Sequence, residues 1–116
     1  DYIMLKISGT KITINRGDTA FLTITVRDRE GNPYELQEND SLYFAVKRKV
    51  TDTDYAIAPK KLNGNVLELM RDDTINLDFA TYVYDIQLVN GKGYTSTIIQ
   101  PSDFIVAPSV TAAGDR

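Results

Sequence analysis

Hydrophobic and polar residues alternate along most of this chain, in short runs that end at Gly, Pro, Asn or Asp. Because successive side chains of a β-strand point to opposite faces, each alternating run predicts a strand with one buried face. The clearest run covers 20–27, where Ala, Leu, Ile and Val alternate with Phe, Thr, Thr and Arg. Apolar spacing typical of a helix is nearly missing, so the pattern predicts an all-β protein.

Turn residues between the runs divide the chain into seven or eight predicted strands. The runs cover 3–7 with 11–14, 20–27, 42–47, 55–58, 66–70, 82–89 and 94–106. We expect the first to be an edge strand, because its break at Ser8-Gly9 blunts an exposed edge. We expect a bulge or an edge position at Pro101, since proline cannot donate to a β-ladder. One helical turn is predicted over 72–77, because Asp accepts hydrogen bonds from the free N–H groups at a helix start.

The segment Asp78-Phe79-Ala80-Thr81-Tyr82 has the layout of a tyrosine corner. In that corner, a Tyr at the start of the sixth strand sends its hydroxyl back to the backbone a few residues upstream, while its ring packs in the core. We therefore assign a structural role to Asp78, Ala80 and Tyr82. Together with the strand count, this corner favours an immunoglobulin-like β-sandwich of seven to eight antiparallel strands.

The chain contains neither Cys nor Trp, so the predicted sandwich has no disulfide between its sheets. Tyr84 stands where antibody domains keep their second cysteine, and Phe44 is the expected substitute for the buried Trp of the third strand. Packing alone must then hold the two sheets together. The predicted core contains Leu22, Ile24, Phe44, Leu69, Tyr84 and Ile86.

The length of 116 residues fits one domain, since single domains commonly span about 100 to 150 residues. We place the domain at 1–107 and a C-terminal tail, or a linker to a following segment, at 108–116. No apolar run approaches the roughly 20 residues that a membrane-spanning helix needs, and the first residues lack the layout of a signal peptide. The net charge is -3, with both signs scattered along the chain. These features predict neither a membrane nor a nucleic-acid partner.

The absence of His and Cys limits the chemistry open to this chain. It removes thiolate zinc sites, cysteine nucleophiles and every imidazole base. An enzyme would have to use paired carboxylates, as in glycoside hydrolysis, yet the acidic residues fall at turns and strand ends and nothing in the sequence pairs them. The chain has no twelve-residue calcium loop, although it has five candidate calcium ligands, Asp52, Asp54, Asp72, Asp73 and Asp78. We therefore predict a non-enzymatic protein without cofactor, metal or catalytic residues.

Arg16-Gly17-Asp18 spells a tripeptide that integrins recognise, which suggests an adhesion role. The same three residues lie in a predicted turn between two strands, and a turn of this kind favours Gly. The structural interpretation is therefore preferred.

Four tyrosines form an alternative candidate site, an aromatic platform that stacks on sugar rings. Exposed tyrosines are equally typical of protein interfaces, where they give a large contact area with a polar tip. The four are Tyr34, Tyr43, Tyr55 and Tyr94.

The alternation on two neighbouring strands predicts an apolar outer sheet face. If Leu42, Phe44 and Val46 point inward, then Tyr43 and Ala45 point outward, and so do two valines of the sixth strand. We expect this face to contact a second subunit or the next domain, with a homo-oligomer among the alternatives. The predicted interface residues are Tyr43, Ala45, Val83 and Val89.

Several segments carry a resemblance to known proteins when their order and spacing are taken together: 15–19, 26–28 with 31–33, 42–47, 80–88, and 97–99 with 102–106. With these segments the chain resembles a family of phage and prophage virion proteins, such as upper baseplate or tail-associated proteins, whose N-terminal domain is immunoglobulin-like. The resemblance covers nearly the whole chain. It implies a connector domain that docks against other virion subunits, in a particle assembled in the host cytoplasm.

The run predicted over 20–27 has Gly17-Asp18-Thr19 before it and the segment from Asp28 to Pro33 after it. In these turns the chain also resembles bacterial surface sandwich repeats, which use a G-D-T turn before a strand and a D-x-x-G-N-P turn after it. This second resemblance implies an adhesin or a carbohydrate-binding module at the bacterial cell surface.

Overall fold

The computed structural model describes residues 11–28 and 30–110, and these contain seven β-strands and one helical turn. The elements are β1 (Ile12–Asn15), β2 (Ala20–Thr23), β3 (Ser41–Lys47), β4 (Ile57–Lys61), β5 (Val66–Leu69), α1 (Arg71–Thr74), β6 (Ala80–Val89) and β7 (Thr95–Ala107). The all-β prediction is confirmed. The predicted strand segment at 3–7 lies outside the described residues, as does 111–116 of the predicted tail. No helix among the described residues has the length and apolar character needed to cross a membrane.

The strands form two sheets, a five-stranded sheet in the order β1-β7-β6-β3-β4 and a two-stranded sheet of β2 and β5. One pairing departs from the expected antiparallel arrangement, because β1 runs parallel to β7 with Ile12 opposite Phe104. Parallel neighbours require a long connection between them. Here the chain leaves β1 for β2, in the other sheet, and reaches β7 only after every other strand.

The core lies where residues of both sheets meet. Leu42, Phe44 and Val46 alternate inward from β3 and are fully buried, as the sequence pattern predicted. Three aromatic rings pack at the centre, with centroid separations of 5.5 Å for Phe44 and Tyr84 and 5.7 Å for Phe44 and Phe104. Of the six predicted core residues, Leu22, Phe44, Leu69, Tyr84 and Ile86 are buried and Ile24 is only partly buried.

The strand predicted over 20–27 is shorter than its alternation suggests, since β2 ends at Thr23. Its partner β5 begins at Val66, opposite Thr23, so no further ladder is available on that side. Beyond this point the amide of Ile24 donates to the carbonyl oxygen of Asn65 at 2.8 Å. The chain then pairs with its own turn, with Arg27 opposite Pro33.

The other local predictions differ from the structure by a few residues. The strand expected at 55–58 is β4, which begins at Ile57 and continues to Lys61. The expected helical turn is α1. At its start, the carboxylate of Asp73 accepts a hydrogen bond from the amide of Met70 at 2.8 Å. The last strand runs through Pro101 with a bulge, as the sequence predicted.

Candidate functional site

The outer face of the five-stranded sheet carries the four residues predicted to form an interface. We define this outer face by the side chains of β3 and β6 that alternate away from the core. Opposed pairs on it include Tyr43 with Gln87 and Ala45 with Asp85. Its half-buried members are Ser41, Tyr43, Ala45, Lys47, Val83, Asp85, Gln87 and Val89.

A shallow cavity of about 260 Å³ opens on this face, with Asp85 in its lining. We call it the Asp85 cavity. Three of the four predicted interface residues line it, whereas Val89 lies outside it at the far end of β6. Its lining contains Tyr43, Ala45, Lys47, Val50, Tyr55, Pro59, Val83, Tyr84, Asp85, Gln87 and Pro101.

Two local features make room for this cavity. On β3, the residue opposite Asp85 is Ala45, whose side chain is only a methyl group. On the other side, β6 pairs with β7, where Tyr84 lies opposite Ser102 and Ile86 opposite Ile99. The register therefore shifts between these two pairs, and Asp85 has no single partner on β7. This bulge contains Pro101, which lines the cavity and has no N–H to donate.

The Asp85 carboxylate is half-buried in the outer face. Burial raises the pKa of Asp85, and the nearby positive charge of Lys47 offsets part of that effect. Within the part of the chain that the structure describes, this carboxylate accepts no hydrogen bond and forms no ion pair. The low-dielectric surroundings therefore disfavour its charged form without a direct partner to compensate.

The sequence interpretation missed Asp85 and Gln87, because it described this face as apolar. Both side chains interrupt the apolar face between Val83 and Val89. The available signal was a charged residue at an outward position in the middle of a long alternating strand. A strand with neighbours on both sides shields such a position more than an edge strand does.

The structure separates the four tyrosines of the proposed platform. Tyr43 and Tyr55 line the Asp85 cavity, and the Lys47 ammonium lies 5.1 Å from the centroid of the Tyr55 ring. Tyr34 lines a different cavity, and its hydroxyl donates a hydrogen bond to the Asp40 carboxylate at 2.7 Å. Tyr94 is exposed near the turn that joins β6 to β7. A platform of four tyrosines is therefore not assembled.

Residues of the integrin-like tripeptide make contacts with other parts of the chain. The Arg16 guanidinium lies 4.0 Å from the centroid of the Phe79 ring and donates to the carbonyl oxygen of Leu77 at 3.3 Å. The amide of Gly17 donates to the hydroxyl of the buried Thr74 at 2.7 Å. These contacts fasten the turn between β1 and β2 to the segment around α1.

The candidate calcium ligands do not form a cluster. Asp73 pairs with Lys60 at 2.6 Å, and Asp72 pairs with Arg71 at 3.1 Å. The described ranges contain no group of three or more His, Cys, Asp or Glu residues placed to hold a metal ion.

The segment at the start of β6 makes a hydrogen bond between side chain and backbone. The Tyr82 hydroxyl donates to the carbonyl oxygen of Asp78 at 2.8 Å, and the residue is 4% exposed. Burial raises the pKa of Tyr82, and the negative charge of Asp78 adds to that shift. The Arg48 guanidinium covers the same ring at 5.4 Å and donates to the carbonyl oxygen of Thr81. The partly buried Ala80 packs against the core beside it.

Comparison with known protein families finds no family model that matches this chain, and comparison with curated proteins finds no relative.

Proposed function

We propose that this chain is a non-enzymatic assembly domain of a phage or prophage virion, in its baseplate or tail. In this proposal it is an immunoglobulin-like β-sandwich that contacts other virion subunits, or a following domain of its own chain, through the outer face. The observation that carries the protein-contact role is the position of Tyr43, Ala45 and Val83 around one cavity on that face. Aromatic residues such as Tyr are enriched in protein interfaces, and the buried cores of those interfaces are more apolar than the rest of the surface.

The strand order supports the immunoglobulin-like part of the proposal. In such sandwiches one sheet contains the third, sixth and seventh strands, and variable-type domains extend it beyond the third strand. The order β7-β6-β3-β4 fits that pattern, with β2 and β5 in the second sheet. The hydrogen bond from Tyr82 to Asp78 at the start of β6 fits a tyrosine corner.

The virion part of the proposal depends on the sequence resemblance alone. Its segments at 42–47 and 80–88 coincide with β3 and most of β6, the two strands that supply the outer face. A connector domain needs a surface for docking rather than a catalytic cleft, and the outer face offers one.

The proposal is tested on particles purified from the strain that encodes the chain. We expect mass spectrometry to detect the chain in the particles, and a photo-crosslinking residue at position 83 to capture another virion subunit. A crosslinker at Phe21, which is exposed on the two-stranded sheet, is the control and should capture much less. Particles that lack the chain would exclude the virion role. Particles with equal capture at both positions would exclude the outer face.

Carbohydrate binding by a bacterial surface domain is the second candidate. The observation in its favour is that Tyr43 and Tyr55 line one cavity together with Asp85 and Gln87, a combination of rings and polar groups that suits sugars. A glycan array with the wild-type chain and with Tyr55→Ala tests it. Saturable binding that the substitution abolishes would favour this candidate. The same polysaccharides, incubated with the chain and assayed for released sugar, test the expectation that it is not an enzyme.

A further inference from the structure

The Asp85 cavity combines a half-buried carboxylate with neighbours that make no side-chain hydrogen bond to it within the described residues. Ala45 and Val83 offer no polar side-chain group, and Pro101 offers no N–H. The Gln87 amide is directed elsewhere, since its nitrogen donates over 3.5 Å to the hydroxyl of Thr97. A partly desolvated carboxylate without hydrogen bonds is costly, so a docked cation or hydrogen-bond donor would gain more here than at an exposed carboxylate.

Lys47, whose positive charge attracts this carboxylate, also has another partner. Lys47 lies toward the end of β3, opposite Val83 rather than opposite Asp85, and its ammonium lies over the Tyr55 ring. It attracts the carboxylate through space but does not form an ion pair with it among the described residues. The direct contact positions on Asp85 are therefore open.

We propose that the Asp85 cavity binds an arginine side chain of a partner protein, with the guanidinium on the Asp85 carboxylate and against the Tyr43 ring. This inference depends on the proposed role of the outer face as a protein contact. A guanidinium is planar, donates in a fork that matches a carboxylate, and stacks on aromatic rings. Tyr43 suits that task, because within the described chain its ring has no aromatic or cationic partner.

Cavity size and aromatic access favour a single side chain over a larger ligand. Small-molecule sites usually enclose about 300 to 1,000 Å³, and this cavity has about 260 Å³. A sugar platform would also need the face of Tyr55, which Lys47 covers. Lysine is a poorer occupant than arginine, because its compact ammonium cannot engage both carboxylate oxygens and the Tyr43 ring in one planar arrangement.

The test uses the isolated chain and a small probe, N-acetylarginine methylamide, titrated over the millimolar range and followed by amide NMR. We expect saturable shifts at Tyr43, Ala45 and Asp85, and at least about tenfold weaker binding by Asp85→Asn, because a charge-assisted contact is lost. Asp103→Asn is the matched control, since Asp103 is an exposed carboxylate of the same sheet, opposite Val83. It should bind like the wild type. The neutral citrulline analogue should produce no saturable shifts.

Three results would overturn the inference. One is equal binding by the wild type and Asp85→Asn, and another is equal loss in both Asp variants, which would indicate unspecific charge attraction. The third is saturable binding of a neutral oligosaccharide at Tyr43 and Tyr55 without binding of the arginine probe. Crosslinking at position 83 in particles is a separate measurement. If that capture succeeds while the arginine probe does not bind, only the arginine inference is lost. If the arginine probe binds while nothing is captured in particles, only the virion role is lost.

Discussion

Replacing Tyr82 by Phe tests whether the hydrogen bond at the start of β6 stabilises the fold. The substitution removes one hydroxyl from a residue that is 4% exposed, and it keeps the ring, which the Arg48 guanidinium covers. The lost contact is the 2.8 Å hydrogen bond to the carbonyl oxygen of Asp78. A hydrogen bond of this kind contributes about 1 kcal/mol net. We therefore expect the free energy of unfolding to fall by about 1 kcal/mol.

Urea unfolding followed by circular dichroism measures this change. With a slope of about 1 to 3 kcal/mol per molar urea, the midpoint should fall by roughly half a molar, and the melting temperature by about 4 °C. Tyr43→Phe is the matched control, because the Tyr43 hydroxyl has no hydrogen-bond partner among the described residues. It should change the stability by less than about 0.5 kcal/mol. Equal stability of Tyr82→Phe and the wild type would refute the reasoning.

Three further predictions concern single positions. Gly17→Ala should lower the free energy of unfolding by about 1 kcal/mol or more, because φ at Gly17 is +85° and a new Cβ would meet a side-chain carbon at 3.0 Å. Gly31→Ala, at φ +89° in open space, should cost less, and thermal melts compare the two. Asp73→Asn should lower the free energy of unfolding by about 1 kcal/mol in urea titrations, because it weakens a hydrogen bond at the helix start and an ion pair. Asp72→Asn should leave the free energy of unfolding almost unchanged. Asp85→Asn should stabilise the free chain at neutral pH, because burial raises the pKa of Asp85.

The pH dependence of the last variant follows from the sign of that shift. The folded-state pKa of Asp85 lies above its unfolded value, so the penalty is fully present above the folded-state pKa and disappears below the unfolded one. The advantage of Asp85→Asn should therefore shrink as the pH falls through the carboxyl range. Urea unfolding of both proteins across that range measures it. An advantage of Asp85→Asn that stays constant or grows in acid would contradict the raised pKa of Asp85. Equal loss of stability in the two glycine variants would contradict the prediction for Gly17. Equal loss in Asp72→Asn and Asp73→Asn would contradict the prediction for Asp73.

Much of the fold follows from local pattern. Alternation along 42–47 and 82–89 predicted which side chains of β3 and β6 are buried, because a strand with one buried face encodes its orientation in every second residue. The spacing from Asp78 to Tyr82 predicted a hydroxyl directed back to the backbone, since both groups belong to one short segment. Pro101 predicted its own bulge for an equally local reason, the missing N–H.

Tertiary structure alone decided which distant segments meet. The parallel pairing of β1 with β7 and the early end of β2 depend on partners that lie far along the chain, and alternation carries no information about them. Phe104 joined the central aromatic rings for the same reason. The Asp85 cavity is the clearest case, because it needs a small residue opposite on β3 and a bulge opposite on β7 at the same point. The sequence by itself determined which face each side chain occupies, whereas the register between strands decided which side chains surround Asp85 and what they leave unsatisfied.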